Sequence, residues 1–381
     1  MHGVNGSCLT DLHRSAGARL TDSPGPGGDP PLLLTYGDVP GEYRAGTEGA
    51  LLFDQTDFGR LAVDGSDATA FLHRLLANDV KGLESGTGNR NLLLSSKGKI
   101  EHAFDLSPAP GGGDRPGYRL TTAPGGAAPL ATALDMYLFT DDVEIQDLSA
   151  SFAPLALCGP QAKAAIRAVL GMDPPEVPHR PVPASGPAGD VLVVGTEVAG
   201  SPGWRLETTP EGATGLWTAL REAGASPGGL VARDALRVEA GQALFGTDID
   251  GSIYPQEARQ EEAFSLDKGC YIGQEVVAKI DTYGGLNKCL FGLSVDHDDP
   301  VPPGTRLLRE LEGEVRDLGV VTSWSYSFVL DTGLVLAYIK RKHQDLGTTF
   351  QLGESGGQAK IVEMPLWPGA LPFTGGPPSD S

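Results

Sequence analysis

Apolar residues along this chain follow two rhythms, and the change from one to the other marks its parts. GRLAVD (Gly59 to Asp64) and PLALC (Pro154 to Cys158) are short apolar runs that predict strands. Each is followed by a glycine and then by apolar residues spaced at i, i+3 and i+4, which predicts a helix. The two stretches, DGSDATAFLHRLL (Asp64 to Leu76) and CGPQAKAAIRAVL (Cys158 to Leu170), align without gaps. They match Gly65 with Gly159, Ala68 with Ala162, Ala70 with Ala164 and Leu76 with Leu170. A repeated strand, glycine turn and helix predicts two related α+β halves. From about residue 288 the rhythm shortens: KCLFGLSVD, DLGVVTSW and GLVLAYI are brief runs, mostly bounded by Gly, Pro or Asp. That spacing predicts a small antiparallel barrel or sandwich.

The expected organisation is a first α+β domain over 31–150, a second over 151–287 and a β-barrel over 288–367. Residues 1–30 are polar and end in SPGPGGDPP, so they are expected to be a disordered leader, and 368–381 a flexible tail. The Gly/Pro-rich stretches from Gly111 to Gly117 and around Pro181 to Gly189 read as loops.

Composition narrows the function classes. A chain of 381 residues exceeds one ordinary core, and 40% hydrophobic with 20% charged residues suits a soluble globular protein. The formal net charge of −20 argues against direct nucleic-acid binding, which calls for a basic face. No run of 18 apolar residues exists, and the N-terminus lacks a charged start followed by an apolar stretch. No membrane association is expected, and a cytoplasmic protein is. The four cysteines, at 8, 158, 270 and 289, have neither the spacing of a metal site nor that of a disulfide framework.

Candidate chemistry concentrates in two segments. In ARDALRVEAG, Arg233 and Arg237 are four residues apart on a predicted helix and can converge on an anion, or they are surface arginines paired with nearby acids. In KGCYIGQEVVAKI, Ile272, Val276, Val277 and Ile280 lie on one face of a predicted helix, so Cys270 falls at or just before its N-terminus. There the helix dipole and Lys268 favour a thiolate. No histidine is near enough in sequence to act as its base, and cysteine often merely packs. Nucleophile, ligand and packing residue all stay open. A further alternative uses the Gly269 and Gly273 turn as a backbone cradle for an anion, with Lys268 and Lys279 supplying charge.

KGCYIGQE resembles the signature of the YgfZ family of folate-binding proteins, within the YgfZ/GcvT superfamily. GALLFDQTDFGRLAVDGSDATAFLHRLLANDV, LRVEAGQALFGTDID and GLVLAYIKRKH resemble the superfamily's opening, middle and barrel, so the likeness spans roughly residues 44 to 365. It implies a three-domain ring with ferredoxin-like α+β halves, a folate cavity and tetrahydrofolate as cofactor. It also implies an accessory role in assembling or repairing iron–sulfur enzymes, acting on client enzymes or assembly proteins and affecting tRNA modification indirectly. Arg233, Arg237, Lys268 and Lys279 become candidates for the anionic folate tail, Tyr271 and Trp204 for stacking, and Cys270 for the functional thiol.

The alternatives are a folate-dependent aminomethyltransferase or demethylase of the glycine-cleavage type, and a thiol redox enzyme using Cys270. On the accessory reading the chain is not a typical enzyme; if it is one, a one-carbon transferase is implied. Aminomethyltransferases carry an acidic pair after G-G-I-L, where this chain has Gly98-Lys99-Ile100-Glu101-His102-Ala103, so His102 and Ala103 replace the acids. Their T-G-E-D-G corresponds to Ala199-Gly200-Ser201-Pro202-Gly203, which puts Ser201 where a pterin-binding glutamate is expected.

Overall fold

The computed structural model describes residues 7–21, 31–110, 116–187, 189–353 and 356–373. The chain divides into two compact units, one of Met1–Leu93, His102–Val198 and Pro202–Arg233, the other of Leu94–Glu101, Ala199–Ser201 and Asp234–Ser381.

The first unit holds two large sheets and a small pair, Arg19–Leu20 with Leu33–Thr35. In the five-stranded sheet the order is Asn89–Leu94, Ile100–Pro108, Gly117–Thr122, Gly59–Asp64 and Glu144–Asp147. The six-stranded sheet runs Pro181–Gly186, Gly189–Val198, Ser201–Thr208, Ala153–Cys158, Leu51–Asp54 and Ser226–Gly228. The repeat is real: Gly59–Asp64 leads into the helix Ala68–Leu75, and Ala153–Cys158 leads into the helix Ala162–Leu170. At Gly159 the turn has φ +97°, and a Cβ would lie 2.5 Å from the Gly49 carbonyl oxygen. Only glycine fits both the angle and that close approach. The repeats do not keep all their strands to themselves. Leu51–Asp54, from the stretch expected to form the first α+β domain, pairs with Ala153–Cys158 and Ser226–Gly228 from the second.

One face of the six-stranded sheet makes a core. Leu155, Leu157, Val191, Val193, Trp204 and Leu206 pack there with Ile166, Leu216 and Trp217 from the helices. The helix Pro210–Glu222 starts where Thr209 accepts a hydrogen bond from the Gly212 amide and Pro210 occupies the first turn, a sequence-readable start signal.

The leader expectation is corrected for residues 7–21, and the rest of 1–30 lies outside the described residues. A helix at Thr10–Ser15 buries Leu9 and His13, each 1% exposed, against the first unit. His13 Nε2 is 2.8 Å from Asp54 Oδ2, its Nδ1 is 2.7 Å from Tyr36 Oη, and its ring meets Trp217 edge-on. A histidine placed between an acid and an aromatic core anchors a segment that composition alone marks as unstructured. The Pro181 to Gly189 stretch is likewise not a loop. Pro181–Gly186 is an edge strand paired with Gly189–Val198, and an edge tolerates proline because its outer side needs no donor. Of Gly111 to Gly117, residues 111–115 lie outside the described residues.

The second unit contains the closed antiparallel barrel, with Lys288–Val295, Thr332–Lys340, Glu314–Ser327, Arg306–Leu311, Thr349–Leu352 and Gln358–Ile361 in that order. Its interior holds Leu293, Leu307, Val335, Ile339, Phe350 and Ile361. The expected flexible tail begins as packed chain: the Leu371 amide donates to the Gly200 carbonyl at 2.8 Å, and the Arg259 guanidinium stands 4.2 Å from the Phe373 ring centre. Residues 374–381 lie outside the described residues. Among the described residues no helix is long and apolar enough to cross a membrane.

Candidate functional site

Strand alternation builds a charged layer in the first unit. On Ser201–Thr208, Trp204 and Leu206 face the core described above, so Arg205 and Glu207 face the other way, toward the five-stranded sheet. Arg205 Nη1 donates to Asp105 at 2.8 Å and its Nε to Glu207 at 2.9 Å; Arg60 pairs with the same Glu207. Arg90 Nη1 donates to Glu197 at 2.6 Å. Three arginines thus answer three acids across two sheets. Burial alone would raise the Asp105 carboxyl, but His179, Arg205 and Arg90 outweigh it and hold it well below the usual range. Glu207 behaves the same way, with Arg60 and Arg205 overcoming burial. A cavity of about 690 Å³ is lined by Arg60, Glu207, Phe152, Leu192 and Thr208, with the Arg60 guanidinium 3.9 Å from the Phe152 ring centre.

In the second unit the KGCYIGQE segment closes on a hairpin tip. Ser95 to Lys99 forms the tip, with the Ser95 amide donating to Lys99 O at 2.8 Å and the Gly98 amide to Ser95 O at 2.9 Å. Gly273 has φ +80°, and a Cβ there would lie 2.5 Å from Ser95 O and 2.9 Å from Gly98 Cα. Gly273 therefore admits another backbone in place of the anion expected at that turn. From the other direction the Ile100 amide donates to Ile253 O at 3.0 Å. Lys99 Nζ stands 3.0 Å from the Tyr254 ring centre and 3.6 Å from Glu257. Burial lowers the Lys99 pKa while Glu257 opposes the shift. The clamped hairpin leads straight into Glu101 and His102. Burial also lowers the His102 pKa, which favours a neutral imidazole.

The residues expected to form the site separate. The helix runs Gln274–Tyr283 with Gly273 as its N-cap, so Cys270 lies outside the first turn, where the dipole has faded. Cys270 is exposed. Tyr271 is buried, its hydroxyl has no hydrogen-bond partner among the described residues, and Lys268 Nζ lies 5.2 Å from its ring centre. Arg237 does not reach outward for a folate tail: its guanidinium is enclosed by Asp234 at 2.8 Å, Asp248 at 3.0 Å and Ser323 at 2.9 Å. Trp204 is not an open stacking platform. It is 8% exposed within the sheet core, with Nε1 donating to Pro175 O at 2.9 Å. Lys279 is exposed and 3.7 Å from Glu275, an i,i+4 surface pair. Lys279→Ala should change stability by less than about 0.5 kcal/mol in urea unfolding, because exposed helix pairs contribute little. Arg233 sits half-buried in the first unit, acting electrostatically on Asp57.

Sequence reasoning passed over Asp57, Asp105, Arg205 and Glu207. The last two had a signal: charges in phase within an apolar strand, W-R-L-E, belong to a buried face that needs partners.

Residues 35–268 match the GCVT N-terminal domain, and 288–367 match the glycine cleavage T-protein C-terminal barrel domain. An aminomethyltransferase of Rubrobacter xylanophilus is 31% identical over 94% of this chain and 93% of its own length. An aminomethyltransferase of Saccharopolyspora erythraea is 29% identical, covering 96% of both. The crystal structure of the glycine cleavage system aminomethyltransferase T from Bartonella henselae superposes with a TM-score of 0.82 at 24% identity, over 97% of this chain and 99% of that one.

Proposed function

The chain belongs to the GcvT family, and from that premise we propose that it binds tetrahydrofolate and handles a one-carbon unit as a transferase of the aminomethyltransferase type. The reading rests above all on the extent of the kinship, which runs through both family domains. When bound, tetrahydrofolate supplies the nitrogens that accept the one-carbon unit.

The residues present fit such a ligand in part. Arg237 and Lys279, both expected to meet its anionic tail, are engaged elsewhere. The buried, unpartnered Tyr271 hydroxyl is a donor waiting for an acceptor, and an unmet buried polar group is unfavourable unless something meets it. Clamped by Gly273, the hairpin tip holds the segment from Lys99 to His102 in one register. A neutral His102 then offers a proton-accepting nitrogen where relatives place an acid.

A second reading, a YgfZ-type accessory protein for iron–sulfur enzymes, is favoured by the exposed Cys270 beside that clamp together with the missing acidic pair. Incubation with an aminomethyl-loaded lipoyl carrier and tetrahydrofolate separates the two. Folate-dependent ammonia release is the expected result. Folate binding without any turnover would reject the transferase and leave the accessory role.

A further inference from the structure

The cavity in the first unit has no part in the function proposed above, yet it is built around a buried cation. Arg60, near the start of the strand Gly59–Asp64, is held through its backbone. Its amide donates to Ser149 Oγ at 3.0 Å, and its carbonyl accepts from the Leu148 amide at 2.8 Å. The turn Ser149–Ser151 then leads into Phe152, whose ring centre lies 3.9 Å from the Arg60 guanidinium carbon. Backbone bonds thus fix where the side chain starts, and the aromatic face fixes where its charge rests.

A guanidinium carries five N–H donors and no acceptor, and this one is poorly answered. The Arg60 side chain is 7% exposed. The acid paired with it is Glu207, which also accepts from Arg205 Nε at 2.9 Å. Arg205 and Arg119 act on Arg60 as like charges. Arg60 Nε has no hydrogen-bond partner among the described residues. A desolvated cation with a shared counter-charge and an unmet donor is unfavourable unless a further acceptor completes its bonding.

The cavity of about 690 Å³ that Arg60 lines gives room for that acceptor. Phe152, Leu192 and Pro183 supply apolar wall, and Glu207 and Asp190 are the acids that line it. Apolar walls with one or two polar groups, in a volume of roughly 300–1,000 Å³, are the usual make-up of a site for a small organic ligand. Its place is not that of the pterin. Ser201, which stands where the pterin glutamate is expected, begins the strand that Glu207 and Thr208 end. At about 3.3 Å per residue, roughly 20 Å of strand separates Ser201 from Glu207.

We propose that this cavity is a second ligand site, which takes a small aromatic monocarboxylate with its carboxylate on Arg60 and its ring against Phe152, Leu192 and Pro183. The planar guanidinium suits a carboxylate better than a point charge would, because it offers parallel N–H donors. Asp190 and Glu207 restrict the site to one negative charge, since a second carboxylate on the ligand would meet an acid of the same sign. The site stands or falls separately from folate binding.

The test is calorimetric titration of the full chain with phenylpropionate, its uncharged amide, and phenylsuccinate, the same ring with a second carboxylate. Phenylpropionate should bind saturably with a Kd of about 0.1–1 mM, and the other two about 10- to 100-fold more weakly. Arg60→Lys keeps the charge beside Glu207 but loses the fork, and should weaken phenylpropionate about 10-fold. Leu192→Trp narrows the cavity without touching Arg60, and should abolish binding. Leu192 faces away from the core residues Val191 and Val193 on its own strand, so this variant should keep the wild-type urea midpoint. Saturating tetrahydrofolate should leave phenylpropionate bound. Absence of phenylpropionate binding to the wild type, or equal binding of acid and amide, overturns the proposal without calling on any variant. Binding that Leu192→Trp leaves intact places the ligand elsewhere and overturns it too. Displacement of phenylpropionate by tetrahydrofolate would make the two sites one and contradict a second site.

Discussion

Asp105→Ala should lower the free energy of unfolding by about 3–5 kcal/mol, measured as a shift of the urea midpoint. The loss is not that of one favourable ion pair. A buried pair gains little over an apolar replacement, because two ions must leave water to form it. Removing one partner is another matter. Arg205 would keep only Glu207, already shared with Arg60, and Arg90 only Glu197, and Arg205, with 4% of its side chain exposed, could not turn to water for the lost charge. A double replacement, Asp105→Leu with Arg205→Met, should therefore be less harmful than the single change, and a cycle of the two would give their coupling.

The same layer sets an acid limit. Asp105 and Glu207 have folded-state pKa values below their unfolded ones, so the stability they contribute is complete above about pH 4–5. It is lost as the pH falls below that range, when the unfolded chain takes up protons that the folded chain resists. Asp57 has the opposite sign. Its raised pKa means that the folded state binds the proton more readily, so its unfavourable contribution is full above about pH 6 and fades as the pH falls toward the unfolded value.

Gly273→Ala should cost about 2–4 kcal/mol and abolish folate-dependent turnover. The left-handed angle alone penalises alanine by roughly 1–2 kcal/mol. The rest comes from the Cβ, which would meet the Ser95 carbonyl and Gly98 Cα, backbone atoms that cannot rotate aside. The hairpin tip would have to move, carrying Lys99 and Glu101 with it. Gly269→Ala is the internal control. Its φ is +100°, but a Cβ there would meet nothing within 4 Å, so only the angular strain of roughly 1–2 kcal/mol is expected. Equal damage from both changes, read by urea unfolding and turnover, would contradict the clamp.

Local chemistry was legible in the sequence and long-range partnership was not. The repeated glycine turns and the short-strand rhythm after residue 288 reported the α+β class and the barrel, because periodicity and turn geometry are local properties. The place of Leu51–Asp54 in a sheet made mainly from the second half depends on pairing over some hundred residues, which leaves no local trace. Arg233 and Arg237 look equivalent on a helical wheel. Only the fold shows that Asp248 and Ser323 enclose Arg237: Asp248 lies beyond the helix and Ser323 is 86 residues away, so no helical spacing announces either. Trp204 resembled a stacking platform because an aromatic residue carries the same letter in a core and in a cleft.

The central claim is that this chain is a folate-binding member of its family despite Ser201, His102 and Ala103. Anaerobic calorimetric titration of the wild-type protein with tetrahydrofolate tests it most directly. Saturable binding of one folate per chain, at about micromolar affinity, is the predicted result. No heat of binding up to about millimolar folate would contradict it, and would leave a protein that keeps the family's fold without its ligand.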